Sequence, residues 1–137
     1  MKKGKEPFDV ILLSIIFDPA EKKILIGRRE KDADVPQLTW GFPEGRLRHG
    51  DDVDKVLKER VKEKTGYTIN NLGAVFSKVF PEKKDLFAVY FLCEVVSGKG
   101  KPMNDFQDIK WVKTTELEKY FKTSFHPILK EYLTSLA

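Results

Sequence analysis

The chain has 137 residues, of which 41% are hydrophobic and 34% charged, a balance that is typical of one folded domain and excludes a wholly disordered chain. The 25 Lys and Arg residues against 21 Asp and Glu residues give a formal charge of only +4, an excess too small to indicate nucleic-acid binding. Cys93 is the only cysteine, so an intrachain disulfide and a thiolate zinc site are excluded.

The start of the chain predicts neither a membrane span nor a cleaved leader. The longest apolar stretch, residues 10–17, is far shorter than the ~20 residues that cross a bilayer. The first residues also lack a small-residue cleavage pattern. We therefore expect a cytoplasmic protein without a membrane partner, consisting of a polar tail at residues 1–6 and a single domain at residues 7–137.

Two apolar runs near the N-terminus predict a β-hairpin. Residues 8–17 and 24–27 are rich in Ile, Leu and Val, and the polar segment between them begins with Asp18-Pro19, a pair that favours a turn. Residues 30–39 are polar and predict a loop. Residues 40–45 contain two glycines and a proline, so we expect an irregular segment, anchored by its two aromatic residues, in which Glu44 is a solvated loop residue.

Residues 51–64 form the clearest predicted helix. Asp51 or Asp52 is suited to cap its start, where an acidic side chain also favours the helix dipole. Gly66 follows the helix, as is typical of a C-terminal glycine. Apolar residues recur at the spacing of one buried helix face, at Val53, Val56, Leu57 and Val61.

The C-terminal half predicts three more strands and two helices. The strands are expected at residues 72–81, 86–97 and 109–112, with a charged turn at 82–85 and a loop at 98–105. The helices are expected at residues 115–122 and 127–136, capped by Thr114 and by either Ser124 or His126. Strands on both sides of a central helix, followed by helices, predict an α/β sandwich with a mixed sheet.

The predicted central helix and the loop before it match a known motif in their spacing. Gly45 is followed after five residues by Asp51 and after seven more by Glu59-Arg60, and then by Glu63-Lys64 and Gly66-Tyr67. This segment resembles the Nudix box, G-x5-E-x7-R-E-U-x-E-E-x-G-U, in which U is a bulky apolar residue. The sequence Leu-Ile-Gly-Arg-Arg at 25–29 and Trp-Gly-Phe-Pro at 40–43 also matches the family's usual approach to the box.

The resemblance implies a Nudix-like α/β/α sandwich and a hydrolase. In the family, the box holds Mg²⁺ or Mn²⁺ against a diphosphate, and water attacks a phosphorus of a nucleoside diphosphate derivative. Carried onto this sequence, the motif implies metal ligands at Gly45, Asp51 and Glu63 and a catalytic role for Glu63, with Glu44 open as an extra ligand. Glu59 lies four residues before Glu63 and can form a two-carboxylate edge with it, so a catalytic role for Glu59 is the rerouted alternative. The expected partner is a phosphorylated small molecule, and a homodimer is a further family trait that no segment of this sequence identifies.

Four positions depart from the box: Asp51 is one methylene shorter than the family's glutamate, Glu59 stands where the family has arginine, and Arg60 and Lys64 stand where the family has glutamates. On a helical wheel Arg60 and Lys64 lie in the same arc as Val53 and Leu57, so they face the predicted site and not the outer side of the helix. Two cations there repel Mg²⁺ but suit phosphate, which Arg grips with two donors and Lys attracts as a point charge. We interpret Arg60 and Lys64, together with Arg28 near the box in the family's layout, as phosphate-binding residues.

These departures leave two functions open. The first is a Nudix-type hydrolase that cleaves a diphosphate bond, weakened by the loss of two acidic box residues. The second is a catalytically inactive Nudix-fold module that binds a nucleotide, a phosphosugar or a protein partner. The alternating charges at residues 59–64 also fit a simpler interpretation, a salt-bridged helix surface without a role in a site.

Overall fold

The computed structural model describes residues 6–30, 39–121 and 126–136. Within these residues the chain forms seven β-strands, two α-helices and one 3-10 helix. In chain order the elements are β1 (Asp9–Asp18), β2 (Lys23–Arg28), β3 (Trp40–Gly41), β4 (Glu44–Leu47), α1 (Val53–Thr65), β5 (Thr68–Phe80), β6 (Lys83–Ser97), β7 (Asp108–Lys113), the 3-10 helix (Thr114–Tyr120) and α2 (Pro127–Ser135).

The strands form one mixed sheet in which β1 is central. β1 runs parallel to β6, with Asp9 opposite Leu86 and Ile16 opposite Cys93, and antiparallel to both β2 and β4. β2 pairs in turn with β3 and β7, and β6 pairs with β5. The main path through the sheet is therefore β3-β2-β1-β6-β5, and the predicted hairpin and mixed sheet are confirmed.

Helices cover both faces of the sheet. Successive side chains of a strand point to opposite faces, so Leu12 and Ile16 of β1 enter one core while Ile11 and Ile15 enter the other. The first core is closed by α1, and the second by the 3-10 helix and α2. The helical side chains that close the cores are Val56, Leu57 and Val61 on the α1 side, and Leu117, Leu129 and Leu133 on the α2 side. The expected α/β/α sandwich is confirmed.

The ends of α1 follow from the residues that the sequence places there. The Asp52 carboxylate accepts a hydrogen bond of 2.9 Å from the backbone N–H of Lys55, so Asp52 is the N-cap. Gly66 closes the helix with φ of 79°, in the left-handed region that glycine adopts without strain. Because β4 ends only six residues before α1 begins, Gly45 and the inner side of α1 are held close together.

Three predicted elements need correction. Residues 40–45 are not wholly irregular, because Trp40–Gly41 pairs with β2 and Glu44–Leu47 pairs with β1; Phe42 and Pro43 alone separate the two short strands. The turn expected at 82–85 is shorter, since β6 already begins at Lys83. The helix expected at 115–122 is a 3-10 helix that ends at Tyr120. The predicted cap of α2 by His126 is found in the structure. Its Nδ1 accepts a hydrogen bond of 3.1 Å from the backbone N–H of Ile128.

Some predictions fall on residues outside the described ranges. These are most of the polar tail at 1–6, most of the loop at 30–39, Lys122 at the end of a predicted helix, and Ser124 as a helix cap. Among the described residues, every helix is too short or too polar to cross a membrane.

Candidate functional site

A cleft lies where β4, the inner side of α1 and the β6–β7 loop meet. Its volume is about 350 Å³. Three cationic and three acidic side chains line it together with a glycine and an asparagine, namely Arg46, Arg60, Lys64, Glu44, Glu63, Asp105, Gly45 and Asn104. Four residues that the sequence places in the predicted site, Gly45, Arg60, Glu63 and Lys64, are thus brought together.

Lys64 is the most enclosed charged residue that α1 contributes to the cleft. Only 11% of its side chain is exposed, and its Nζ lies 3.2 Å from Asp105 Oδ1. The same Nζ lies 5.3 Å from the centre of the Phe106 ring. A carboxylate and the negative face of a ring both attract an ammonium group, so these two contacts fix the position of the Lys64 side chain.

Arg60 lies one helical turn before Lys64 and is more exposed. Its Nη1 lies 3.1 Å from Oε2 of Glu63, an i,i+3 ion pair with 38% of the Arg60 side chain exposed. A third cation, Arg46 of β4, lies 3.3 Å from Asp9 through Nη1 and Oδ2. Each of the three cations that line the cleft is therefore within ion-pair distance of a carboxylate.

Arg29 and Phe106 are neighbours of the cleft that the predicted site did not include. The Arg29 side chain is 6% exposed and its Nη1 lies 3.4 Å from Glu44 Oε1. Its guanidinium carbon lies 5.2 Å from the centre of the Phe106 ring, which also contacts Lys64. The prediction that Glu44 is a solvated loop residue is wrong, because 17% of its side chain is exposed and it is paired with this buried arginine.

The alternation of a strand would have distinguished Arg29 from Arg28. Leu25 packs in the α1 core, so Gly27 and Arg29, at spacings of two, share the face toward α1. Arg28 points the other way: its Nη1 donates to Gln107 Oε1 at 3.0 Å, and its guanidinium lies 6.0 Å from the Trp40 ring. The structure therefore places Arg28 away from the cleft lining.

Asp51 and Glu59 also lie outside the cleft lining. Asp51 is exposed, and its Oδ2 accepts a 2.8 Å hydrogen bond from the backbone N–H of Arg48, so it closes the turn before α1. Glu59 is exposed and lines a separate open depression on the outer side of α1, which Glu63 also borders. Glu63 is thus the acidic box residue at the junction of the two surfaces.

The donor set of the cleft does not fit Mg²⁺ or Mn²⁺. These ions need several oxygen ligands, usually with at least one or two carboxylates free to bind. Across residues 6–30, 39–121 and 126–136, no group of three or more Asp, Glu, His or Cys side chains is placed to hold a metal ion. The acidic residues that do line the cleft are each within ion-pair distance of a cation of the same chain.

Comparison with known proteins places this architecture in a family. The family described as NUDIX domain matches residues 8–134, whereas no curated protein matches the chain. A NUDIX hydrolase from Nitrosomonas europaea superposes with a TM-score of 0.76 at 14% identity, over 96% of this chain and 73% of the other.

Two further solved structures share the fold. The NUDIX domain of Shewanella oneidensis NrtR complexed with ADP ribose has a TM-score of 0.68 at 16% identity, over 96% of this chain and 89% of that one. A bifunctional NMN adenylyltransferase/ADP ribose pyrophosphatase from Francisella tularensis, complexed with AMP and a manganese ion, has a TM-score of 0.71 at 12% identity, over 98% and 44%. Since the matched family covers nearly the whole sequence, this chain belongs to the NUDIX domain family.

Proposed function

We propose that this domain binds a nucleoside diphosphate derivative in the cleft between β4 and α1, and that cations of its own chain take the place of the family's divalent metal. The observation that carries the proposal is the position of Lys64, whose ammonium lies in the cleft between Asp105 and the ring of Phe106. A fixed positive charge at a box position supports phosphate binding without a metal ion.

Electrostatics favours this function over metal-dependent hydrolysis. Two unit charges about 4 Å apart interact by about 4 kcal/mol at an effective dielectric constant of about 20. A divalent ion in the cleft would meet repulsion of this order, roughly doubled by its own charge, from both Arg60 and Lys64. Glu63 and Asp105 are each paired with one of these cations, which offsets much of their attraction for a metal ion. A phosphate group, which is an anion, is attracted to these cations, and it competes there with the carboxylates that now pair with them.

The cleft has enough cations to contact both phosphate groups of a diphosphate, namely Arg60, Lys64 and Arg46. An arginine can donate two parallel hydrogen bonds to one phosphate, and a lysine adds a compact point charge. Arg60 and Lys64 are four residues apart on α1, which places their side chains next to each other on one face. Arg46 approaches from β4 on the opposite wall of the cleft. The ADP ribose held by the Shewanella NUDIX domain is a ligand of this chemical class.

A hydrolytic role for Glu63 and Glu59 has less support. The Glu63 carboxylate already accepts a hydrogen bond of 3.1 Å from Arg60 Nη1, so part of its capacity to orient an attacking water is taken up. Glu59 borders the outer depression. Without a metal ion to lower the pKa of the attacking water, the reaction loses its main source of activation. We therefore expect hydrolysis to be slow or absent.

Ligand titrations in the presence of EDTA test the proposal. ADP ribose and nucleoside diphosphates are titrated by calorimetry and by melting temperature, and we expect saturable binding that EDTA leaves unchanged. Lys64→Gln should weaken binding about tenfold or more, since each 1.4 kcal/mol of lost interaction is a factor of ten. Lys55→Gln is the matched control, because Lys55 is an exposed lysine of the same helix outside the cleft lining.

Two outcomes would overturn the proposal. One is binding that disappears with EDTA and returns with Mg²⁺ or Mn²⁺. The other is rapid Mg²⁺-dependent release of phosphorylated products that is lost in Glu63→Gln, which would establish the hydrolase instead.

A further inference from the structure

The β6–β7 loop places the carboxylate of Asp105 beside Lys64, the cation on which the proposed function rests. The backbone N–H groups of Lys101 and Met103 each donate a 3.0 Å hydrogen bond, to the carbonyls of Thr65 and Lys64 at the end of α1. These bonds hold the loop against the helix and so bring the side chain of Asp105 to within 3.2 Å of Lys64.

Each of the two cations on the inner side of α1 is paired with one carboxylate. Asp105 neutralises Lys64, and Glu63 neutralises Arg60 at 3.1 Å. Both carboxylates line the cleft, so each occupies a place where a phosphate oxygen would contact the same cation. The carboxylate side chains are 45% and 48% exposed, which leaves them room to rotate toward solvent.

We infer that Asp105 and Glu63 are internal anions that a ligand has to displace, and that this exchange makes the cleft selective for a diphosphate over a single phosphate. The inference rests on the proposed function and adds the charge pattern of the ligand. A single phosphate replaces one carboxylate and leaves the other ion pair as it was. A diphosphate spans two neighbouring cations one helical turn apart and replaces both carboxylates in one binding event.

Asp105 is the stronger competitor of the two. Its partner Lys64 is 11% exposed, whereas Arg60, the partner of Glu63, is 38% exposed and so is better solvated on its own. Charges interact more strongly where water is excluded, so the Lys64–Asp105 contact resists displacement more than the Arg60–Glu63 contact. Asp105 therefore limits the affinity of the cleft for anions and is a specificity-determining residue.

Calorimetric titration of inorganic pyrophosphate and inorganic phosphate, with EDTA present, tests this inference. The unaltered protein should bind pyrophosphate at least about tenfold more tightly than phosphate. Asp105→Asn removes a carboxylate that a diphosphate has to displace from Lys64, and it should raise the affinity for pyrophosphate about tenfold. Asp108→Asn is the matched control: it removes the same charge three residues along, outside the cleft lining, and should leave both affinities within about twofold.

The outcomes separate the two proposals. If the unaltered protein binds phosphate as tightly as pyrophosphate, or if Asp105→Asn does not raise the affinity for pyrophosphate, the inference is wrong and the proposed function stands. If Asp108→Asn raises the affinities as much as Asp105→Asn, the effect is one of net charge, and the displacement is again wrong. If the unaltered protein and Asp105→Asn both fail to bind pyrophosphate, phosphate and ADP ribose, the two proposals fail together.

Discussion

Gly45 in β4 lies directly against Arg60 in α1. A Cβ added to Gly45 would stand 2.5 Å from Arg60 Cγ and 3.2 Å from Arg60 Cβ. The first glycine of the box is thus required for close packing of the strand against the helix, and this requirement is independent of any metal. The aliphatic part of Arg60 is fixed by this contact, which directs its guanidinium toward Glu63 and the cleft.

Gly45→Ala should destabilise the fold because the added methyl group has no space. We expect a loss of about 1–3 kcal/mol in the free energy of unfolding, measured by urea denaturation. In an Arg60→Ala background the nearest atom is gone, so the same substitution should cost less, with a coupling of at least about 0.5 kcal/mol. Equal costs in the two backgrounds would show that the contact with Arg60 is not the reason.

Reversing the charges of Arg60 and Lys64 should create a divalent-ion site in the cleft. Arg60→Glu combined with Lys64→Glu adds two carboxylates beside Glu63 and Asp105, so like-charge repulsion should lower the melting temperature in EDTA. Mn²⁺ should then raise that temperature by several degrees, since an ion at a hundred times its Kd contributes about 2.7 kcal/mol. The control, Lys55→Glu combined with Lys58→Glu, adds the same charge outside the cleft lining, and its melting temperature should not respond to Mn²⁺. The prediction is contradicted if Mn²⁺ raises the melting temperature of the control, or if it does not raise that of the Arg60→Glu, Lys64→Glu variant.

Phe106 should stabilise the fold through its contacts with cations as well as through burial. Its ring lies between Arg29 and Lys64, and 3% of the residue is exposed. Phe106→Leu keeps most of the apolar volume but removes the aromatic face, and we expect a loss of about 1–2 kcal/mol in the free energy of unfolding. A Lys64→Met background removes one of the two cations, so the substitution should cost less there. If it costs as much, the ring acts by packing alone.

Stability should fall in alkaline solution because of a buried thiol. Burial raises the pKa of Cys93 from 9.0 to about 12. Below about pH 9 the thiol is neutral in both the folded and the unfolded chain and its effect on stability is constant. Between pH 9 and about 12 the unfolded chain loses the proton first, so the free energy of unfolding falls by up to about 1.4 kcal/mol per pH unit.

Cys93→Ala isolates this contribution. We measure the free energy of unfolding of both proteins by urea denaturation at pH 8 and at pH 10.5. Between these two pH values the unaltered protein should lose about 2 kcal/mol more stability than Cys93→Ala. Burial also raises the pKa of Tyr90, which adds a second loss of the same sign at higher pH, and Tyr90→Phe removes that part. Parallel pH profiles for Cys93→Ala and the unaltered protein would contradict the assignment to the thiol.

Local chemistry made much of the fold predictable. The α1 helix carries its own signals, an aspartate cap, apolar residues at helical spacing and a final glycine, and these act over a few residues whatever surrounds them. The two short strands at residues 40–47 carry no such signal. They exist because β1 and β2 offer backbone groups for pairing, and only the folded chain brings those strands alongside.

The site divides in the same way. Helical periodicity in the sequence was enough to put Arg60 and Lys64 on the inner side of α1 with Glu63 beside them, because side chains three and four residues apart share a helix face. The contacts of Lys64 with Asp105 and Phe106, and of Arg29 with Glu44, join residues that are far apart in the chain. Those contacts decide whether a charged side chain of α1 contacts a metal ion, a phosphate or a carboxylate of its own protein. They depend on tertiary packing, which no local sequence pattern encodes.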